Sequence, residues 1–243
     1  MKDEILQNLK KLFQESYSYA REGSIEKIID EYIHETNQHY VSIGINNYLE
    51  DEEPFELKRI KKNSELEKCF KEALKFDFDE NKIISNLVSD IQTAFSEIKS
   101  KLIDEKKEIE NQAIFLEFDF IPKASIAGYG TGEYPILKEP KYLDFYPDNE
   151  IYIAIEKIDY RKIWKNLTSL ENTIEKFEVD DYVFDSGTYQ ALRNSIIYKT
   201  YILLHKALNN LGPEIFNGLN IKKPLMIYGN EHDCEPISIY VLE

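Results

Sequence analysis

The densest group of potentially reactive side chains is the segment Glu231-His232-Asp233-Cys234-Glu235, between two predicted strands. Carboxylates, an imidazole and a thiol are all ligands for zinc or another divalent metal. Adjacent residues in a tight loop point in different directions, however, so a site would need further groups from elsewhere in the chain. We therefore interpret the segment first as a polar turn and next as an acidic surface loop. A metal or catalytic site is the alternative.

A pair of histidines, His34 and His39, invites comparison with the zinc-binding helix of metalloproteases. That motif places its histidines four residues apart, on one face of the helix. Five residues at about 100° each separate this pair by about 140° around a helix. The two rings cannot bind one metal from one helical face, and we interpret them as solvated or capping residues.

A glycine-rich segment, with Gly128, Gly130 and Gly132, follows a predicted strand. A dinucleotide-binding segment of this kind must open a helix, whose N-terminus then holds the phosphate. Here Glu133 and Pro135 follow, so no helix begins and an acidic side chain lies where the phosphate would bind. We predict a flexible loop, which could serve as a lid or as a partner-binding loop.

The acidic segment from Asp77 to Asn81 resembles the start of a calcium-binding loop. Such a loop needs glycine at its sixth position and glutamate at its twelfth, where this chain has Lys82 and Val88. Capping of the following helix is the better interpretation of these acids.

The well-marked catalytic motifs are absent from the sequence. It has no nucleophile elbow, no Walker loop and no kinase motif set, and it contains four histidines. We therefore expect a non-enzymatic protein with no catalytic residue, no metal ligand and no cofactor. Catalytic residues can also be scattered along a chain and meet only in the fold, so an enzyme stays an alternative.

The element that must organise these segments is a long helix predicted between Ser186 and Pro213. Ser186 can cap its start, while Gly212 supplies a left-handed exit residue and Pro213 a stop. Its roughly 24 residues, at about 1.5 Å each, make a rod of about 36 Å. We expect it to be the central core helix. The residues that face one side at helical intervals are Leu192, Ile196, Ile197, Thr200, Tyr201, Leu204, Leu208 and Leu211.

The remaining elements divide the chain into a helical part and a strand-rich part. His39 to Ile45 interrupts the helical part, because its β-branched and aromatic residues predict a strand. We predict an α+β fold, with a mainly helical N-terminal half and a small antiparallel sheet backed by helices in the C-terminal half. We expect a single domain over residues 1–243, or alternatively a subdivision into parts 1–111 and 112–243. Helices are predicted over residues 3–21, 24–33, 64–74, 79–102 and 160–177, and strands over residues 113–121, 151–158, 225–228 and 237–242.

The net charge of the chain indicates which classes of partner it can bind. Thirty Lys and Arg against 45 Asp and Glu give a formal charge of −15. Such a surface repels phosphate backbones and attracts basic proteins, so we expect no binding to nucleic acid. The sequence shows no apolar run of the roughly 20 residues needed to span a bilayer, and no targeting pattern at its N-terminus. We therefore expect a cytoplasmic protein without a membrane partner.

The functional prediction follows from this charge. We predict a non-enzymatic protein-binding module, an acidic inhibitor or immunity-type protein that neutralises a basic partner such as a toxin domain. One alternative is a hydrolase or metalloenzyme that uses the 231–235 segment with the Gly128–Gly132 loop, which requires the two loops to share a pocket. Another is a structural subunit of a larger assembly. The predicted contact residues are Asp51, Glu52, Glu53, Glu231, Asp233 and Glu235, with Tyr129 and Tyr134 as aromatic anchors.

Overall fold

The structure is a computed structural model that describes residues 1–44, 55–102, 108–119, 121–143 and 150–243. The described residues form an α+β fold, which confirms the predicted fold class. Five helices precede the first strand: α1 (Lys2–Arg21), α2 (Ile25–Ser42), α3 (Phe55–Lys61), α4 (Ser64–Ala73) and α5 (Glu80–Lys101). The C-terminal half contains β1 (Asn111–Phe118), β2 (Lys123–Tyr129), β3 (Glu150–Asp159), α6 (Arg161–Lys176), α7 (Asp180–Val183), α8 (Gly187–Leu211), a 3₁₀ helix (Pro213–Phe216), β4 (Ile221–Glu231) and β5 (Ile237–Leu242).

The five strands form one mixed sheet in the order β3-β2-β1-β4-β5. Neighbouring strands are antiparallel except β1 and β4, which run parallel. The prediction of an antiparallel sheet is therefore wrong for this central pair. Between β1 and β4 the described residues include two strands and three α-helices, and a crossover of this length lets β4 return in the same direction as β1.

The prediction that the glycine-rich segment is a loop from Gly128 onward is wrong at its first residues. Gly128 lies inside β2, in register with Ile114 of β1 and Tyr152 of β3, so the predicted loop begins two residues later. A Cβ at this position would lie 2.5 Å from Cε1 of Tyr152 and 2.7 Å from Oδ1 of Asn111. Glycine is required here because the Tyr152 ring crosses the strand where a side chain would stand.

The strand predicted from His39 is also wrong. Helix α2 continues through His39 and ends at Ser42, and Ile45 lies outside the described residues. Once a helix is nucleated, each added residue gains one hydrogen bond, whereas β-propensity depends strongly on the neighbouring strands. The helix already begun at Ile25 therefore extends over residues that favour strands.

The long helix α8 confirms the predicted central helix. Ser186 accepts a hydrogen bond from the backbone N–H of Tyr189 at 3.2 Å, and Gly212 follows the last helical residue with φ of +68°. Residues on several sides of the helix are buried, among them Leu192, Ile202, Leu203, Leu204 and Ala207. A helix that is apolar on most of its circumference is buried rather than amphipathic.

The chain divides into two compact units. The first comprises Met1–Lys11, Phe78–Ile163 and Tyr198–Glu243, and it contains the whole sheet. Within it, Gly229 of β4 lets the Tyr201 ring of α8 approach the backbone, since an added Cβ would lie 2.6 Å from Cε1 of Tyr201. The imidazole of His205 is buried beside this contact and donates from Nδ1 to the carbonyl of Ile239 at 2.8 Å.

The second unit comprises Leu12–Asp77 and Trp164–Ile197 and is helical. Its clearest polar feature is the carboxylate of Glu31, which accepts from the backbone N–H of Thr188 at 2.8 Å and from its hydroxyl at 2.7 Å. An acidic side chain at the start of a 25-residue helix also interacts favourably with the helix dipole. The two units do not divide at residue 111, and the single domain stays a prediction.

Candidate functional site

The predicted contact residues of the C-terminal half all lie in the first unit. Glu231 is the last residue of β4 and is half-buried, while Asp233 and Glu235 are exposed in the following loop. Tyr129 ends β2 and Tyr134 lies in the loop after it, both half-buried. The other three predicted contact residues, Asp51, Glu52 and Glu53, lie outside the described residues.

The parallel pairing of β1 and β4 builds the site. Glu117 lies in register with Asn230, so the carboxyl ends of the two strands meet at one edge of the sheet. The backbone N–H of His232 donates to the carbonyl of Phe118 at 2.7 Å and holds the start of the loop beside β1. Acidic residues from both strands are thereby brought to one place, although about a hundred residues separate them in sequence.

Glu117 is the centre of this arrangement. Its Oε1 accepts from Nδ1 of His232 at 2.8 Å, and its Oε2 accepts from Nδ2 of Asn230 at 2.9 Å. Neither Glu117 nor Asn230 is among the residues predicted from the sequence to form a contact surface. The only local signal was the alternation of polar and apolar residues along β1, which places Glu117 on the same face as Phe115 without indicating its partners.

Ionisation at the site follows from these contacts. The hydrogen bond and negative charge of Glu117 raise the pKa of His232 above its usual range, and Asp233 and Asp119 add to the effect. Burial, with the nearby charges of Glu150 and Glu117, raises the pKa of Tyr129 to about 12. At neutral pH the site therefore holds a neutral phenol and an imidazole that binds its proton more tightly than a free histidine.

An aromatic cluster borders the acidic residues on the same face of the sheet. The Phe115 ring packs 5.2 Å from that of Tyr129 and 5.1 Å from that of Tyr228, measured between ring centroids. Tyr134 lies 6.4 Å from Tyr228, whose hydroxyl donates to the carbonyl of Pro135 at 2.6 Å. The rings of Tyr129 and Tyr134, the two predicted anchors, thus pack against neighbouring aromatic rings and do not project from the surface.

The loop that contains Tyr134 and the loop after β4 are in contact. The Leu137 N–H donates to the hydroxyl of Ser238 at 2.8 Å, and the hydroxyl of Tyr142 donates to the carbonyl of Asp233 at 3.3 Å. Tyr142 is 66% exposed, which makes it the most exposed aromatic side chain of this surface. It was not among the predicted contact residues.

Among the described residues, no group of three or more His, Cys, Asp or Glu side chains is placed to hold a metal ion. Cys234 is exposed, and its Sγ lies 3.9 Å from Oε2 of Glu231. Three clefts of about 260, 330 and 400 Å³ are lined by described residues, and none of the three is lined by the two loops.

The acidic segment before α5 has the capping role predicted for it. Oδ1 of Asp79 accepts from the backbone N–H groups of Asn81 and Lys82 at 3.0 and 3.2 Å. Elsewhere, His34 and His39 both lie on α2, where Nε2 of His34 is 2.8 Å from the side-chain nitrogen of Gln38.

Comparison with protein-family models, with curated proteins and with solved structures finds no match for this chain. In the part of the chain that the structure describes, no helix combines the length and apolar content needed to cross a bilayer.

Proposed function

We propose that this protein is a non-enzymatic, cytoplasmic binding module that neutralises a basic protein, such as a toxin domain, through the acidic end of its sheet. The contact surface comprises Glu231 at the end of β4, Asp233 and Glu235 in the following loop, and Tyr142 beside that loop. Two cysteines are too few for a disulfide framework, which agrees with a reducing compartment.

The observation that carries the proposal is the concentration of carboxylates where β1 and β4 end, in a chain of net charge −15. Asp119, Asp233 and Glu235 are exposed there, and Glu117 keeps 38% of its side-chain surface accessible. Charge of one sign on a surface accelerates encounter with an oppositely charged protein and disfavours partners of the same sign. The surface is therefore suited to covering a cationic binding site.

The aromatic residues support the same use of the surface. Tyrosine contributes a large, rigid contact area together with a hydroxyl, and it is enriched among the residues that dominate binding energy. Tyr142 has most of its ring exposed and is tied to the acidic loop through Asp233. Tyr129 and Tyr134 are half-buried against neighbouring rings, so a partner's side chain can pack against fixed aromatic surfaces.

The test is an affinity pull-down from the cells in which the protein is made, with three baits. The first is the natural chain, and the second carries Glu231→Gln, Asp233→Asn and Glu235→Gln. Asp233 has φ of +59°, and asparagine is chosen because it tolerates this left-handed conformation.

The third bait is a matched control that also loses three charges, through Glu22→Gln, Glu35→Gln and Glu175→Gln. These three residues are exposed and lie outside the proposed surface. We expect one basic protein to be retained by the natural chain and by the control, and lost from the loop variant and at high salt. Capture of no basic protein, or equal loss from both variants, contradicts the proposal.

The two alternative functions stay predictions without a specific observation in their favour. A metalloenzyme would need ligands beyond those that meet at Glu117. A structural subunit would need a large apolar patch on a helix.

A further inference from the structure

The side chain of Asn230 carries an unmet hydrogen-bonding requirement at the centre of the site. The residue is only 6% exposed, and its Nδ2 donates to Glu117 and to the carbonyl of Glu231. Its Oδ1 is buried and accepts no hydrogen bond from any described residue. A flipped amide would place Oδ1 against the Glu117 carboxylate, so the orientation is set by the contacts. A buried acceptor of this kind is unfavourable until a donor reaches it.

The group that would satisfy this site has a definite chemistry. It must bring several N–H donors, because Oδ1 of Asn230 and the carboxylate of Glu117 are both acceptors. It must be cationic, because the imidazole that it replaces lies between Glu117 at 2.8 Å and Asp233 at 3.6 Å. It gains most if it is flat, since a planar fork of donors can meet Glu117 and Oδ1 of Asn230 at the same time. A guanidinium has all three properties, whereas an ammonium lacks the planar fork of donors.

We propose that the strand-end cluster, defined by Glu117, Asn230 and His232, receives an arginine side chain of the basic partner. The guanidinium takes the place of the His232 imidazole on Glu117 and donates to Oδ1 of Asn230. This inference rests on the proposed function, which it deepens by naming the recognised group and the residues that recognise it.

His232 is the resident occupant of the cluster. Its side chain is 56% exposed, so it can leave Glu117 without disrupting a packed core. The imidazole is faced by Glu117 from β1, by Asp119 just after β1, and by Asp233 from its own loop. When protonated it competes with the incoming guanidinium for these carboxylates. Arginine binding is therefore expected to weaken as the pH is lowered.

The experiment is a nuclear magnetic resonance titration of the ¹⁵N-labelled full chain with Nα-acetyl-arginine amide, and in parallel with Nα-acetyl-lysine amide. Both probes carry one positive charge, so they separate the guanidinium geometry from charge alone. The readouts are the side-chain amide of Asn230 and the imidazole of His232. We expect the arginine probe to shift both signals and to bind at least about tenfold more tightly than the lysine probe.

Three variants sharpen the test. Glu117→Gln is expected to weaken arginine binding at least about tenfold, and His232→Ala is expected to strengthen it. Glu22→Gln, which removes one exposed negative charge outside the cluster, is expected to leave the affinity for arginine unchanged. Circular dichroism verifies that Glu117→Gln is folded. If Glu117→Gln is unfolded, Glu117→Asp replaces it in the test. This variant keeps the negative charge on a side chain that is one methylene shorter, and it is expected to reduce the preference for arginine over lysine.

Equal affinity for the two probes, or arginine binding that survives Glu117→Gln, overturns the inference. Failure of the inference is distinguishable from failure of the proposed function. A partner that is lost with the loop variant but kept by Glu117→Gln supports the function and refutes the arginine site. Arginine-specific binding at Glu117, in a chain that captures no basic protein, supports the site and refutes the function.

Discussion

Replacement of Gly128 by alanine tests the strand assignment of the glycine-rich segment, because the two interpretations predict opposite signs. In a flexible loop, Gly→Ala restricts the unfolded chain and stabilises the protein by about 0.4–1 kcal/mol. In β2, the new methyl group would lie 2.5 Å from Cε1 of Tyr152, against an ordinary carbon contact of about 3.5–4.0 Å.

The cost of the substitution can be bounded from the surroundings. The Tyr152 ring, whose Cζ is its nearest atom to the new methyl group, is 7% exposed and must move by about 1.5 Å to restore an ordinary carbon contact, and Oδ1 of Asn111 restricts the other side at 2.7 Å. Overpacking of a buried site costs about 1–3 kcal/mol, and a clash with two fixed neighbours places Gly128→Ala near 3 kcal/mol. For a chain of this length, that corresponds to a fall in melting temperature of about 6–12 °C.

The assay is equilibrium urea unfolding followed by two probes. The only tryptophan, Trp164, belongs to the second unit, so circular dichroism is needed to detect loss of the sheet. Gly187→Ala is the control, since its added Cβ would meet only ordinary contacts at 3.7 and 3.9 Å, and we expect a change below about 1 kcal/mol.

A second background isolates the clash. On Tyr152→Leu, which removes the far end of the ring, alanine at position 128 is expected to cost at least about 1 kcal/mol less than in the natural chain, because the two substitutions share one contact and only the contact with Asn111 remains. A stabilising or neutral Gly128→Ala in the natural chain refutes the assignment of this glycine to the sheet.

The remaining predictions concern charged groups. Glu31→Ala leaves the buried N–H and hydroxyl of Thr188 without their acceptor, and we expect a loss of about 2–4 kcal/mol in the same unfolding assay; an unchanged urea midpoint would refute the cap. Burial lowers the pKa of His205, so the unfolded chain binds more protons than the folded one between pH 6.5 and that lowered value. Stability should therefore fall as the pH drops below 6.5, and His205→Gln should reduce this slope. Glu117→Gln removes the main cause of the raised pKa of His232, and an imidazole titration followed by nuclear magnetic resonance should show that pKa falling. The contact between Glu117 and His232 stabilises the folded protein below pH 6.5, and this contribution is lost as the pH rises through the folded-state pKa of His232. An imidazole titration of His232 that is the same in Glu117→Gln and in the natural chain contradicts the contact.

The local features of the fold could be predicted from the sequence because short-range interactions produce them. The cap of α5 by Asp79 and the limits of α8 at Ser186 and Gly212 each depend on residues within four positions along the chain. Strand β5 was predicted at its observed limits, since turn residues and an apolar run define it locally. The prediction of a strand from His39 was wrong, because propagation of helix α2 outweighed the strand preference of the individual residues.

The candidate site depended on the tertiary structure. Residues 117 and 232 come together only because β1 and β4 pair in parallel, and no local pattern encodes which strands pair or in which register. The same holds for Gly128, whose role depends on a tyrosine ring from a neighbouring strand. The sequence by itself determined helices α1, α4, α5, α6 and α8, the strand-rich half and the acidic charge, which arise from neighbours along the chain and from composition. The tertiary structure decided which of these acids share a surface, because contacts between distant residues are set by the packing of the whole sheet.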